Sequence, residues 1–412
     1  MFEFASPAFK SLSNGYHLNR PIFDADLLQE CEKIGVTVLR PAELNDLELK
    51  THNSILNITL NGESVNIKTR WFIDASGNFR YVKKKLKWVD KELTLNTGAI
   101  TAHFTNLPSE STWDREETFY WNKNAIGSKA YSTTHFLKPH SWWWLIKLDE
   151  STTSIGVVYD KNNIKFSDAE SYFNQSIKED KLLSKVTKNA KISKINHLNS
   201  LPYVCSKMHQ DNVAVIGDAG AFIDPLFSPG LELICQQNEH LVSLLLDYFK
   251  TDRKDLKAWR NYEKQFVNTY LDRIFVYSKL YHFMHSFDLF SNATQLLFFG
   301  YQSFSVLPLK YFPRRIKYPG RFQTLDRAVI KWVFNRFYKI SVKRTQQNRQ
   351  SVSLHQPLFY SRVSIPNGVF YVLKPVQLAL LWLTNYIKIE ATEGYNLFKS
   401  ECLRLLKKDQ QL

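Results

Sequence analysis

Residues 215–230 read VIGDAGAFIDPLFSPG, and this stretch restricts the fold more than any other. An apolar run ends in Gly217-Asp218. Small residues follow, and Asp224-Pro225 and Ser228-Pro229-Gly230 make two turns before a helical pattern begins at Leu231. A short, wholly apolar strand is buried on both faces, as in parallel sheets covered by helices. A carboxylate at its C-terminal end stands at the crevice where open α/β sheets bind ligands. Asp218 is an acceptor suited to ribose or ribityl hydroxyls, and Ala219 and Gly220 let a ligand come close to the backbone. The start of the next helix favours an anion or an electron-rich ring edge. Any one of these pieces alone reads as an ordinary strand–turn–helix with Ser228 as cap. Together they point to a cofactor site.

The rest of the chain fits a two-part α/β enzyme. Residues 22–34 have helical apolar spacing and stop at Gly35, and Val36–Leu39 reads as a short strand. Residues 46–70 alternate as strands around an Asn61-Gly62 hairpin turn, and RWFIDASG is a buried strand ending in a glycine turn. GAITAHF, KAYSTTHF, SWWWLIKL and TSIGVVYD predict a second, antiparallel sheet over residues 97–160, followed by amphipathic helix over 166–190. A long helix is expected from Leu231, and another over 255–285 with a stripe of Tyr262, Phe266, Tyr270 and Phe275.

Charge separates the chain into two kinds of surface. The net charge is +15, and nearly all of the excess lies beyond residue 240, which suggests an acidic partner or surface there. Cys31, Cys205, Cys235 and Cys402 have no paired spacing and read as free thiols of a reducing cytoplasm, with no metal cluster. No apolar run approaches the ~20 residues of a spanning helix. The basic, aromatic stretch 310–349 contains AVIKWVFNRFYKI, where Val329, Trp332, Val333, Phe337 and Ile340 fall near one helical face. An ordinary helix with a core face is its plainest reading. An acidic carrier protein and an anionic membrane are the functional ones. Nucleic acid is disfavoured, because no binding motif accompanies the charge. Residues 368–389 are apolar but broken by Lys374-Pro375, which predicts a buried or interfacial helix rather than a span.

GDAGAFIDPLFSPG resembles the second flavin-contacting motif of the FAD-dependent monooxygenase superfamily. RPIFDADLLQECEKIGV resembles the family's Arg-x-x-Phe-Asp helix, and WFIDASG resembles its Asp-Ala-Ser-Gly turn. SWWWLIKLDESTTSIGVV resembles the Trp-x-Trp-x-Ile-Pro stretch of the flavin-dependent halogenase branch, and the likeness covers roughly residues 1–285. It implies an α/β fold: a FAD-binding three-layer domain from residues 1–96 and 200–240, an antiparallel substrate-binding sheet over 97–199, and a helical basic region over 241–412. It further implies that Asp218 contacts the ribityl or pyrophosphate part of FAD, with Gly217, Ala219 and Pro225 shaping the backbone. The Gly230 and Leu231 amides would face the pyrimidine end of the flavin ring, and Asp74, Ala75, Ser76 and Gly77 the adenosine or pyrophosphate side. Arg20 would approach the cofactor, a salt bridge that holds its own helix being an equal reading. Trp142 and Trp144 would stand between flavin and substrate, with sheet core as the plainer reading; Trp143 is expected in the core.

Two departures qualify the resemblance. No Gly-x-Gly-x-x-Gly occurs in the chain, and Lys10 lies too near the Arg20 helix to match the halogenases' lysine. The expectation is a chain lacking the family's N-terminal dinucleotide-binding segment, which alone holds FAD weakly or not at all. No catalytic residue is assigned. Pro229 has no N–H to offer a halide, and Lys147 replaces the motif's proline; both weaken halogenation relative to hydroxylation or another flavin oxidation, and the choice between them stays open because the deciding lysine is not in the chain. Glu232, in the first turn of its helix, reads as dipole compensation. The expected function is FAD-dependent oxidation, of monooxygenase or halogenase type, of an aromatic, polyene or carrier-bound substrate in secondary metabolism. The electrons would come from NAD(P)H or a separate flavin reductase, in the cytoplasm or at a membrane surface. The alternatives are a flavin-linked reductase of prenyl or lipid double bonds and an inactive remnant.

Overall fold

The computed structural model describes residues 18–50, 53–108, 133–301, 323–349, 379–380 and 382–396. In chain order, helix α1 (Arg20–Lys33) leads to strands β1 (Ala42–Leu49), β2 (Ser54–Leu60), β3 (Glu63–Thr69) and β4 (Phe72–Asp74), then helix α2 (Tyr81–Lys85). Strands β5 (Thr97–Thr105), β6 (Thr134–Lys138), β7 (Ser141–Lys147) and β8 (Thr152–Asp160) precede helices α3 (Ala169–Glu179) and α4 (Lys181–Thr187). Short strands β9 (Lys191–Ile192), β10 (Asn196–Leu198), β11 (Tyr203–Val204), β12 (His209–Gln210), β13 (Val213–Val215) and β14 (Ala221–Phe222) follow. Helices α5 (Gly230–Thr251), α6 (Leu256–Phe283), α7 (Phe287–Tyr301) and α8 (Gln323–Gln346) come next, and residues 382–396 are helical.

Two compact units emerge among the described residues, one holding those up to Thr97 together with Asn199–Phe275, the other holding those of Gly98–Leu198 and those from Val276 onward. Residues 241–275 thus group with the Gly217-Asp218 segment instead of belonging to one C-terminal region, because Gln237 and Tyr262 tie α5 and α6 to β13.

In the first unit β4 and β13 pair in parallel, with β12 antiparallel on the far side of β13. Val213, Ala214 and Val215 are fully buried, as an all-apolar strand requires. The β1–β2–β3 meander turns at Asn61 (φ 52°) and Gly62 (φ 86°), the left-handed pair that an Asn-Gly hairpin demands. Asn45, Asn57 and Asn66 bridge its three strands side chain to side chain, at 3.0 Å each. Helix α1 ends at Gly35 (φ 94°) but buries no residue, and Val36–Leu39 makes no strand. A strand needs a ladder partner, and the described residues supply none here.

The second unit holds a sheet of six strands ordered β10-β5-β8-β7-β6, with β9 also on β5. Alternation sends Trp143, Leu145, Ile155 and Val157 to the face covered by α3 and α4, where Trp143 stacks on Phe173 at 5.2 Å. Trp142 and Trp144 take the opposite face. In α8 the buried positions are Val333, Phe334, Phe337 and Ile340, continued by Ser341 and Arg344, while Val329 and Trp332 are exposed. That corrects the core face expected from sequence: Arg344 lies inside because Asp288 and Glu393 neutralise it, so a charge completes the stripe. Lys10, Cys402 and the prolines at 308, 313, 319, 366 and 375 lie outside the described residues. Among the described residues no helix is long and apolar enough to cross a membrane.

Candidate functional site

In the first unit the chain leaves β13 at Ile216, whose N–H bonds the Asp74 carbonyl, and turns through Gly217 at φ 53°. That value suits glycine, and a Cβ there would press on Ile234 at 3.2 Å. Gln237 of α5 holds the turn: its Oε1 accepts from Gly217 N–H at 2.9 Å, and its Nε2 donates to the Val215 carbonyl and the Tyr262 hydroxyl at 3.1 Å. The Tyr203 hydroxyl donates to the Asp218 carbonyl at 2.6 Å, and the Arg80 guanidinium lies 4.1 Å over the Tyr203 ring. Burial pushes the Tyr203 hydroxyl up to about 12.

The Asp218 carboxylate is half-buried and makes no hydrogen bond to a described residue. Burial raises its pKa, and Arg20 opposes the rise. Arg20 itself forms a bidentate pair with Asp24, with Nε and Nη2 each 3.0 Å from a carboxylate oxygen. It therefore holds its helix while contributing charge to Asp218. Ala219 is fully buried. Asp74 is 2% exposed, and its carboxylate accepts from the backbone N–H groups of Ser76 at 2.8 Å and Val82 at 2.7 Å. Its charge is thus occupied by its own turn. Ser76 Oγ accepts from Tyr81 N–H, Ala75 is exposed, and Gly77 sits at φ 59° with open space around it. Pro225 begins a short turn capped by Asp224, which accepts from Leu226 N–H at 3.0 Å. Gly230 and Leu231 are exposed at the start of α5, with nothing within 4 Å of a Cβ placed on Gly230. Glu232 accepts from Gln236 and pairs with Arg273 at 3.5 Å.

In the second unit Trp142 is 2% exposed, and its Nε1 donates to the Tyr281 hydroxyl at 2.9 Å. Trp144 is half-buried, donates to Ser154 Oγ at 3.0 Å and lies 5.8 Å from Trp142. Gly156 makes room for it: a Cβ there would meet the Trp144 indole at 2.2 Å. Trp142 is therefore core in this arrangement, and Trp144 alone of the two shows part of its ring. His135, directly across the ladder from Trp144, packs edge-on to Trp142 at 5.1 Å, and burial lowers its imidazole to about 4.

Gln237, Tyr203, Tyr281, Gly156 and His135 were not singled out from sequence. Two left a signal. Gln237 interrupts the buried stripe Leu233–Gln237–Leu241–Leu244, and Gly156 sits inside an apolar strand, where glycine marks a close approach. Among the described residues no His, Cys, Asp or Glu group could hold a metal.

A parallel β4–β13 pair carrying an acid at its exit in one unit, and an antiparallel tryptophan-rich sheet in the other, make a mixed α/β protein of the FAD-binding monooxygenase type. The tryptophan halogenase family model matches residues 3–288, and the chain belongs to that family. It is 27% identical over 258 residues to the 1H-pyrrole-2-carbonyl-[peptidyl-carrier protein] chlorinase of Pseudomonas fluorescens, covering 61% of this chain and 55% of that protein. It is 28% identical over 228 residues to the flavin-dependent halogenase chlA of Dictyostelium discoideum, covering 52% of this chain and 35% of that one. The chain thus spans about half or less of the length of these relatives. In fold it resembles the crystal structure of halogenase PltM in complex with phloroglucinol and FAD, with TM-score 0.69 and 17% identity over 90% of this chain and 74% of that one.

Proposed function

We propose that this chain serves the FAD-dependent oxidation of an aromatic or carrier-tethered organic substrate. The observation that carries the reading is Asp218: a half-buried carboxylate at the exit of a parallel strand, with no hydrogen bond to a described residue. An unmatched acceptor in that position suits the hydroxyls of a ribityl or ribose chain, and the open backbone at Gly77 and Gly230 leaves space for one. The residues thus fit FAD. Asp218 would accept from its hydroxyls, Gln237 and Tyr203 would fix the turn, and the exposed Gly230 and Leu231 amides would meet a ring edge. Asp74 would act only by shaping its turn. When bound, FAD would supply the redox chemistry and the activation of oxygen.

Hydroxylation is favoured over halogenation. Ser228 N–H already bonds the Pro225 carbonyl at 2.9 Å and Pro229 has no N–H, so a halide would have to share the Gly230 and Leu231 amides with the flavin ring edge. The chlorinase relative's name supports a carrier-tethered substrate, and the basic C-terminal part suits an acidic carrier. A separate flavin reductase would supply the electrons.

The test is FAD titration of the full chain and of Asp218→Ala, with products analysed by mass after addition of reduced flavin, oxygen and chloride. We expect Asp218→Ala to weaken FAD binding about tenfold, the scale of one charge-assisted hydrogen bond, and the product to gain oxygen. Equal FAD affinity in the two proteins would remove the basis of the reading.

A further inference from the structure

From Lys181 to Gln210 the chain carries repeated lysines and no Asp, Glu or Arg. Five of these lysines lie on one rim of the second unit. Lys181, Lys185 and Lys188 are spaced i, i+4 and i+7, so they make a single row along α4 and the turn after it, opposite the buried Leu183 and Val186. Lys191 on β9 and Lys194 before β10 continue the row along the sheet edge, and all five are exposed. Like charges at helical i, i+4 spacing repel, so α4 itself gains nothing from them. The acids just before the row are engaged. Asp180 accepts from the N–H groups of Leu182 and Leu183 and pairs with Lys138 at 2.8 Å, and Glu179 accepts from Gln175. Among the described residues Lys181, Lys188, Lys191 and Lys194 form no ion pair. Two apolar side chains stand exposed on the same rim, Ile192 (44%) on β9 and Leu198 (51%) on β10. Lysine on an edge strand deters pairing between sheets, which accounts for Lys191 but not for the row on α4. Residues 181–198 contain no Arg, Phe, Tyr or Trp. Planar guanidinium forks for fixed carboxylates, and rings that stack on bases, are therefore missing. Flexible ammonium groups with small apolar anchors suit a surface of mobile anionic headgroups. We propose that this rim attaches the second unit peripherally to an anionic lipid bilayer. The five lysines face the headgroups, and Ile192 and Leu198 enter the interface.

Co-sedimentation of the full chain with phosphatidylcholine vesicles, with and without phosphatidylserine, tests this. Wild type should pellet with the anionic vesicles alone, and added salt should release it. Each lysine close to such a surface strengthens partitioning about fivefold, so the triple variant Lys188→Glu, Lys191→Glu, Lys194→Glu should lose at least about a hundredfold. Arginine at the same three positions keeps the charge and should bind like wild type. Ile192→Ser with Leu198→Ser should weaken binding without changing its dependence on salt. Undiminished binding by the glutamate variant would overturn the proposal and move the contact to the basic C-terminal part. Indifference of wild type to both kinds of vesicle would also overturn it, and capture by polyglutamate in their place would assign the rim to an acidic protein. The flavin reading is tested separately by the FAD titration and stands or falls on that.

Discussion

Gly156 lacks a side chain where the Trp144 indole lies, and a methyl group there would sit 2.2 Å from Cζ2. Gly156→Ala must therefore expel the ring or bend β8. We expect a loss of roughly 1–3 kcal/mol, the usual cost of overpacking, together with a changed near-ultraviolet circular dichroism spectrum. A variant with wild-type spectrum and melting temperature would refute the close approach. Histidine burial gives a second expectation at this scale. His135 and His209 are each lowered to about 4 by burial, against about 6.5 when unfolded. Below that value the unfolded chain takes up protons that the folded chain refuses. The stability these neutral rings contribute is therefore complete above pH ~6.5 and is lost as pH falls towards 4. Urea melts at pH 7.5 and pH 5 should show lower stability at pH 5, and His209→Phe should reduce the difference. An equal pH 5 deficit in wild type and variant would exclude His209 as a cause.

At the scale of elements, single side chains decide how helices attach. Gln237 joins α5 to the β13 exit and to Tyr262 of α6. Gln237→Leu would leave the Gly217 N–H and Val215 carbonyl unmatched in the interior, so we expect a loss of about 1–3 kcal/mol and weaker FAD binding in the same titration. Arg344 performs a comparable task for α8. Its guanidinium, 3% exposed, bonds Asp288 at 2.9 Å and Glu393 at 2.8 Å. Arg344→Met would remove the cation that two buried carboxylates share, leaving Glu393 with Arg349 at 3.0 Å and Asp288 with the Ser286 hydroxyl, and chemical denaturation should show a loss of up to about 3–5 kcal/mol. Adding Asp288→Asn and Glu393→Gln should restore part of it. A destabilisation that the triple variant leaves undiminished would mean that packing, not charge, holds the helix.

At the scale of the whole molecule, charge distribution gives the testable consequence. The +15 balance is concentrated in the C-terminal part, and α8 exposes both Trp332 and Lys339. If a carrier protein delivers the substrate, its encounter with this surface is steered by charge and screened over ~8–10 Å at 0.1–0.15 M salt. Oxidation of a carrier-tethered substrate should thus slow markedly between about 50 and 500 mM salt. Oxidation of the free aromatic acid should change little. Equal salt sensitivity for the two would remove the carrier from the reading.

The sequence alone determined what depends on neighbours along the chain. The strand–Gly217-Asp218–turn–helix order, the Asn61-Gly62 turn and the split of Trp143 from Trp142 and Trp144 follow from backbone preference and a period of two. Tertiary structure decided which polar groups are engaged. Trp142 lies buried under Tyr281, 139 residues away. Asp74 is occupied by its own turn, Arg20 by Asp24, and Arg344 turns inward to meet acids from two other helices. Periodicity shows which face an atom points to. It does not show what will stand opposite, because that partner arrives through the fold, and its charge or hydroxyl sets the energy of the contact.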